Sequence, residues 1–184
     1  MKVMMKIAAL AVAGVLSACA SGAQVSQMVP APGPVPVAEQ SSPLYHAVAV
    51  GNVSGGQETN PMWMSKVGNV EFSQALTQTL MAHSMLGRQE GSRYVLDIVL
   101  KDLDQPVFGL TFDVTSKVGY RLNDKKAGSV VLDTEVSATG SASVSDAFAG
   151  VERLRIANER SIKNNLQDFM TRLNQSKLPQ APTS

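Results

Sequence analysis

The sequence predicts an α+β domain: a four-stranded, mainly antiparallel sheet in the order β-α-β-β-β-α, with two helices packed on one face. Three observations carry this. Thr111 to Leu122 alternates strictly, with Phe112, Val114, Val118, Tyr120 and Leu122 on one face and Thr111, Asp113, Thr115, Lys117 and Arg121 on the other. Phe72, Leu76, Leu80 and His83 repeat at helical spacing. A second, longer apolar stripe runs through Val151, Leu154, Ile162, Leu166, Phe169 and Leu173. One-sided strands and one-sided helices bury their stripes by packing against each other.

In chain order, Leu44 to Val53 is β-branched and alternating, a first strand. Ser54 to Lys66 is a loop punctuated by Gly55-Gly56 and Asn60-Pro61. Asn69 caps a helix running to about Met85, stopped by Gly87. Arg93 to Leu103 is the second strand, with Tyr94, Leu96, Ile98 and Leu100 on one face. Asp102 and Asp104 stand at its end before Pro106 and read as turn formers. After the strand at Thr111 to Leu122, Asn123 to Gly128 is a polar turn. Ser129 to about Thr139 is the fourth strand, so the last three strands form a meander with one wet face. Gly140 to Ser145 is a small, polar link, and Asp146 begins the long helix, which ends near Asn174. Glu152, Arg153, Glu159, Arg160 and Lys163 are expected mostly on its solvent side.

The N-terminus reads as an export signal over residues 1–18. Lys2 and Lys6 are its positive region, Ile7 to Val15 its apolar run, and Ser17 and Ala18 its small residues. The run is shorter than the roughly 20 residues that span a bilayer. Leu16-Ser17-Ala18-Cys19 resembles the bacterial lipobox. That resemblance implies cleavage before Cys19 and acylation of both its sulfur and its new amine. A single acyl chain holds a protein to a bilayer only marginally, whereas two or three hold it stably. Ala20, where an inner-membrane retention signal would carry Asp, implies the outer membrane, facing the periplasm. Residues 19–43 are expected to be a Pro-rich tether, with Pro30, Pro32, Pro34 and Pro36 favouring extended backbone. The folded domain is expected over 44–174 and a disordered tail over 175–184.

Charge narrows the partners. The chain has 16 basic and 15 acidic side chains; removing Lys2 and Lys6 with the signal leaves 14 against 15. No basic excess is present to engage phosphates, so nucleic acid is not an expected partner. Cys19 is the only cysteine and is consumed by lipid, which leaves neither a disulfide nor a thiol catalyst. The only histidines, His46 and His83, stand apart from any nucleophile motif and read as structural or surface residues. No His/Cys/Asp/Glu set has metal-ligand spacing, and no glycine-rich phosphate loop occurs. No catalytic residue, metal or cofactor beyond the covalent lipid is therefore expected.

Two loops are candidate partner contacts. The first holds the only tryptophan, Trp63, between Met62 and Met64. The second, Asp104 to Leu110, offers Phe108 and Leu110. Aromatic and methionine side chains in loops suit a protein- or lipid-facing contact. Both loops at one end of the sheet would make a single patch.

The stretches VGNVSGGQETNPMW, YVLDIVLKDLDQPVFG, VGYRL and SDAFAGVERLRIANERSIKNNLQDFMTRL resemble a family of small outer-membrane lipoproteins of unknown function, found largely in alphaproteobacteria. In pattern the chain is also similar to the YajG-type lipoproteins and the lipopolysaccharide-assembly lipoprotein LptE. The resemblance implies a lipid-anchored binding or assembly factor in envelope biogenesis, held to the membrane and meeting an envelope protein. Some members are labelled UDP-N-acetylglucosamine acyltransferase. The alternative expectation is thus an envelope enzyme of that kind, which needs a base and an oxyanion hole. A third is a lipid carrier with an apolar cavity between sheet and helices.

Overall fold

The computed structural model describes residues 22–31, 33, 35–60 and 64–178. The expected signal peptide, Cys19, Met62, Trp63 and the last six residues lie outside these. The elements are α1 (Val25–Met28), β1 (Val48–Ser54), α2 (Asn69–Ala82), β2 (Tyr94–Asp104), β3 (Thr111–Asp124), β4 (Ser129–Ser143) and α3 (Gly150–Gln175). The sheet order is β1-β2-β3-β4. β2, β3 and β4 are the expected antiparallel meander, while β1 lies parallel to β2. A parallel neighbour requires a crossover, and α2 supplies it.

The core follows the predicted faces. Tyr94, Leu96, Ile98, Val118, Tyr120 and Leu122 from the sheet meet Phe72, Leu76 and Leu80 from α2 and Ile162, Leu166, Phe169 and Leu173 from α3, all buried in one cluster. A lipid carrier would have to hold these side chains apart. The Tyr120 and Phe169 rings stack with centroids 3.9 Å apart. Burial pushes the Tyr120 phenol well above its ordinary pKa, and its hydroxyl donates to Asn165 Oδ1 at 2.8 Å. Asn165 Nδ2 in turn donates to the carbonyl of Val136 at 2.9 Å. Ser161 Oγ donates to the carbonyl of Ala138 at 2.9 Å and receives the backbone N–H of Ser116 at 3.0 Å. Buried polar groups satisfied in this way fix one docking position of α3 on the sheet.

Several boundaries differ from expectation. The first strand begins at Val48 rather than Leu44, because His46 adopts φ 46°, outside strand geometry, and its N–H bonds the carbonyl of Ser84 at 2.9 Å. Gly68, not Asn69, is the N-cap of α2; Asn69 Oδ1 instead receives the Gly56 N–H at 2.7 Å. His83 is buried at the end of α2, its Nδ1 2.8 Å from the carbonyl of Thr79, a structural role as expected. The fourth strand runs on to Ser143, since Phe112, Asp113 and Val114 offer partners as far as Ala142, Ser141 and Gly140. Gly140 also lets α3 approach: a Cβ there would stand 2.1 Å from Ser161 N. Asp146 lies before α3 rather than in it, and caps the turn through the Ser143 N–H at 2.8 Å.

The free edge of β4 is covered from α3. Arg172 donates to the carbonyl of Glu135 at 2.9 Å, Asn164 to that of Thr139 at 2.8 Å and Arg160 to that of Ser141 at 2.6 Å. Such capping removes an exposed edge as a template for pairing.

Residues expected to form an extended tether instead pack on the domain from Ala23 onward. Ala23, Met28, Val35 and Ala38 join the core cluster. Gln24 N–H donates to Glu159 Oε1 at 2.7 Å. The prolines made this segment read as solvent-borne, but α1 ahead of them lies against α2 and α3, and Val35 among them is buried. At the other end Gln175 is helical and Leu178 is buried, so residues 175–178, expected in the tail, belong to the fold.

A candidate interaction surface

One predicted contact loop and a second loop that was not predicted converge at the N-terminal end of α3. Residues 105–110 join β2 to β3, and residues 144–149 join β4 to α3. They are neighbours because Thr111 pairs with Ser143. At this end Val107 is 83%, Phe108 88%, Leu110 75% and Phe148 95% exposed. Val144 is about half exposed. A contiguous group of exposed large apolar side chains marks an interaction site, whereas scattered ones do not.

Arg153 holds the two loops together. It is buried, against the expectation of a solvent-facing residue. Its guanidinium donates to the carbonyls of Ala147 at 3.1 Å and Phe148 at 2.7 Å through Nη1, and to that of Gly109 at 3.1 Å through Nη2. It also stands 5.1 Å from the centroid of the Phe112 ring. Gly109 itself has φ 149°, a conformation that suits glycine. Beneath the loops Phe112, Val114, Ala142, Leu154 and Ala157 form a second apolar cluster, against which Met64 packs half-buried.

The loop carrying Met64 is tied to the same end. Ser65's carbonyl receives Gln105 Nε2 and Asn158 Nδ2, each at 2.9 Å. Gln105 also donates to Asn158 Oδ1 at 2.7 Å. Of the predicted contact residues, then, Phe108 and Leu110 are exposed together and Met64 is turned inward. Phe148 and Val107 were not foreseen. Placing the helix start at Asp146 hid Phe148; the apolar residues on either side of Phe108 were the available signal for Val107.

A charged cluster sits beside this end. Glu159 is buried, again contrary to expectation, and accepts from Arg155, which also pairs with Glu152. Desolvation raises the Glu159 carboxyl above its ordinary pKa despite these donors. This arrangement holds the incoming chain at Gln24. Asp102 and Asp104 lie within the end of β2, where Asp102 faces Lys117 across the ladder. Among the described residues no three His, Cys, Asp or Glu side chains are grouped as metal ligands, and no helix is long and apolar enough to cross a membrane.

Known structures share this fold. A Xanthomonas campestris protein of the DUF330 family superposes with a TM-score of 0.54 at 12% identity, covering 80% of this chain and 92% of that one. A hypothetical protein from Chlamydia trachomatis gives 0.50 at 11% identity, over 71% and 96%. No protein-family model matches the chain, and no curated protein matches it in sequence. At these identities the likeness is one of fold: a four-stranded mixed sheet backed by helices.

Proposed function

We propose that the chain is an envelope lipoprotein, anchored by acylated Cys19 to the outer membrane and facing the periplasm, whose domain is a non-catalytic binding or assembly factor. The observation that carries the reading is the lipobox-like Leu16-Ser17-Ala18-Cys19 with its single cysteine. The domain adds one surface suited to contact, the apolar end at Phe108 and Phe148, and its polar interior is occupied by structural hydrogen bonds. A partner in envelope biogenesis fits a small module of this kind better than a substrate does.

The test is intact-mass analysis of the protein purified from cell membranes, with density separation of the inner and outer membranes. The expected result is a chain starting at Cys19 with two or three acyl chains, in the outer-membrane fraction. An unmodified thiol or an uncut leader overturns the reading.

A further inference from the structure

The entry of the chain into the fold and the apolar end share adjacent residues. Ala23 N–H donates to the carbonyl of Lys66 at 3.4 Å. The neighbouring carbonyl, that of Ser65, receives Gln105, two residues before Val107. A Cβ on Gly22 would lie 3.5 Å from Thr59 Oγ1, and Thr59 is itself bonded to Lys66. The first described residue therefore stands at the end of the molecule that carries Val107 and Phe108.

Three peptide steps separate Cys19 from Gly22, which span at most about 11 Å. The segment after Gly22 is docked on α3 through Gln24 and Glu159, so its described residues do not form a free tether. An acyl-bearing Cys19 would bring this end of the domain to the membrane surface. The same end exposes Val107, Phe108, Leu110 and Phe148.

We propose that the end formed by Val107, Phe108, Leu110 and Phe148 is seated in the bilayer beside the acylated Cys19, a second membrane contact that sets the orientation of the domain. This rests on the lipid-anchor reading and deepens it by naming what the apolar end binds: a lipid surface. The loops hold their shape because Arg153 bonds three of their carbonyls, so the apolar side chains are presented together. The charges at this end are of both signs and paired, Asp146 with Arg160 and Glu159 with Arg155, so insertion is carried by the apolar side chains rather than by a basic cluster. β3 then leads away from the membrane. Its 14 residues, at about 3.3 Å each, place the turn at Lys125 and Lys126 some 40 Å from the surface.

The experiment uses the lipidated chain, purified from membranes and reconstituted into vesicles of phosphatidylethanolamine and phosphatidylglycerol. Acylation of Cys19 leaves an introduced cysteine as the one thiol that takes a nitroxide. Labels at Phe108→Cys, Phe148→Cys and Lys126→Cys are compared for access to oxygen and to a water-soluble nickel chelate. The expected oxygen-to-nickel ratio is several-fold higher at 108 and 148 than at 126, at low and high salt alike. A Leu110→Cys label is expected to lose its lipid signal when Phe108→Asp and Phe148→Asp are added, while the protein stays with the vesicles through Cys19. Equal access to nickel at all three positions overturns the proposal, and a protein partner would then remain to be sought for this end. Label–label broadening at 148 that follows protein density also overturns it, in favour of a second copy. Mass analysis of the same sample separates the two readings. An acylated Cys19 with aqueous labels sinks only the insertion, whereas an unacylated Cys19 sinks both.

Discussion

Arg153 and Gly109, 44 positions apart, are joined by a 3.1 Å hydrogen bond from Nη2 to the glycine carbonyl. With the Nη1 bonds to Ala147 and Phe148, this makes one buried guanidinium the fastening of two loops. Arg153→Met would leave three carbonyls without this donor. A loss of about 2–3 kcal/mol is expected in urea unfolding, with faster amide exchange across 107–110 and 144–149 than across β2. Arg153→Lys would recover only part of it, since an ammonium cannot reproduce the planar fork. Unchanged exchange in both loops would contradict the fastening role.

Tyr120 tests the buried polar seam. Tyr120→Phe keeps the stack on Phe169 but leaves Asn165 Oδ1 without its donor. The expected cost is about 1–2 kcal/mol. Asn165→Ala removes the bonds to both Val136 and Tyr120, and its expected cost is greater. Chemical denaturation ranks the two, and a larger loss for Tyr120→Phe would contradict the network drawn here.

Gly140 tests how closely α3 approaches the sheet. An added Cβ meets the backbone N of Ser161 at 2.1 Å and the carbonyl oxygen of Ala157 at 2.5 Å. These are backbone atoms of a 26-residue helix and cannot rotate away. Gly140→Ala should therefore cost about 3 kcal/mol through overpacking. By contrast Gly91→Ala, where nothing lies within 4 Å, should leave the melting temperature nearly unchanged.

Asp146 gives a pH signature. Its carboxyl is held down from an ordinary 3.8 to about 2, first by the side-chain bond from Arg160 and then by the Ser143 N–H. The folded state thus favours the charged form. Its contribution is complete above the unfolded pKa and is lost as pH falls through about 2. Carboxyl carbon NMR should show Asp146 titrating near 2, and Arg160→Gln should move the midpoint back toward 3.8. A native midpoint near 4 would contradict the pairing.

Met28 tests the docked N-terminal segment. Its side chain is fully buried in the core cluster, unlike that of a residue in a free tether. Met28→Ser should release the segment and expose residues 22–43 to limited proteolysis while the body from β1 onward resists. Equal protease resistance in the two proteins would contradict the docking.

The loops show where legibility in the sequence stopped. Phe108 and Leu110 could be named as surface contacts because Pro106 and Gly109 break any regular element around them. Phe148 could not, because Asp146 is an acceptable helix cap in isolation. The Ser143 N–H, brought near by the end of β4, and the Arg160 guanidinium draw the Asp146 carboxylate away from that role. Arg153 and Glu159 read as surface charges for a similar reason. Each stands in a charged stretch of the helix as a solvated residue would, yet each also has a partner on a segment remote in sequence, Gly109 for one and Gln24 for the other.

The sequence by itself determined the class of fold, the inward faces of the sheet and helices, and the lipobox-like motif, because periodicity and short motifs are local properties of the chain. The tertiary structure alone decided that the proline-containing segment docks, that β1 runs parallel to β2, and that the apolar loops meet beside the chain's entry. Each of these depends on contacts between distant positions, as many as 135 residues apart for Gln24 and Glu159, and no local pattern encodes them.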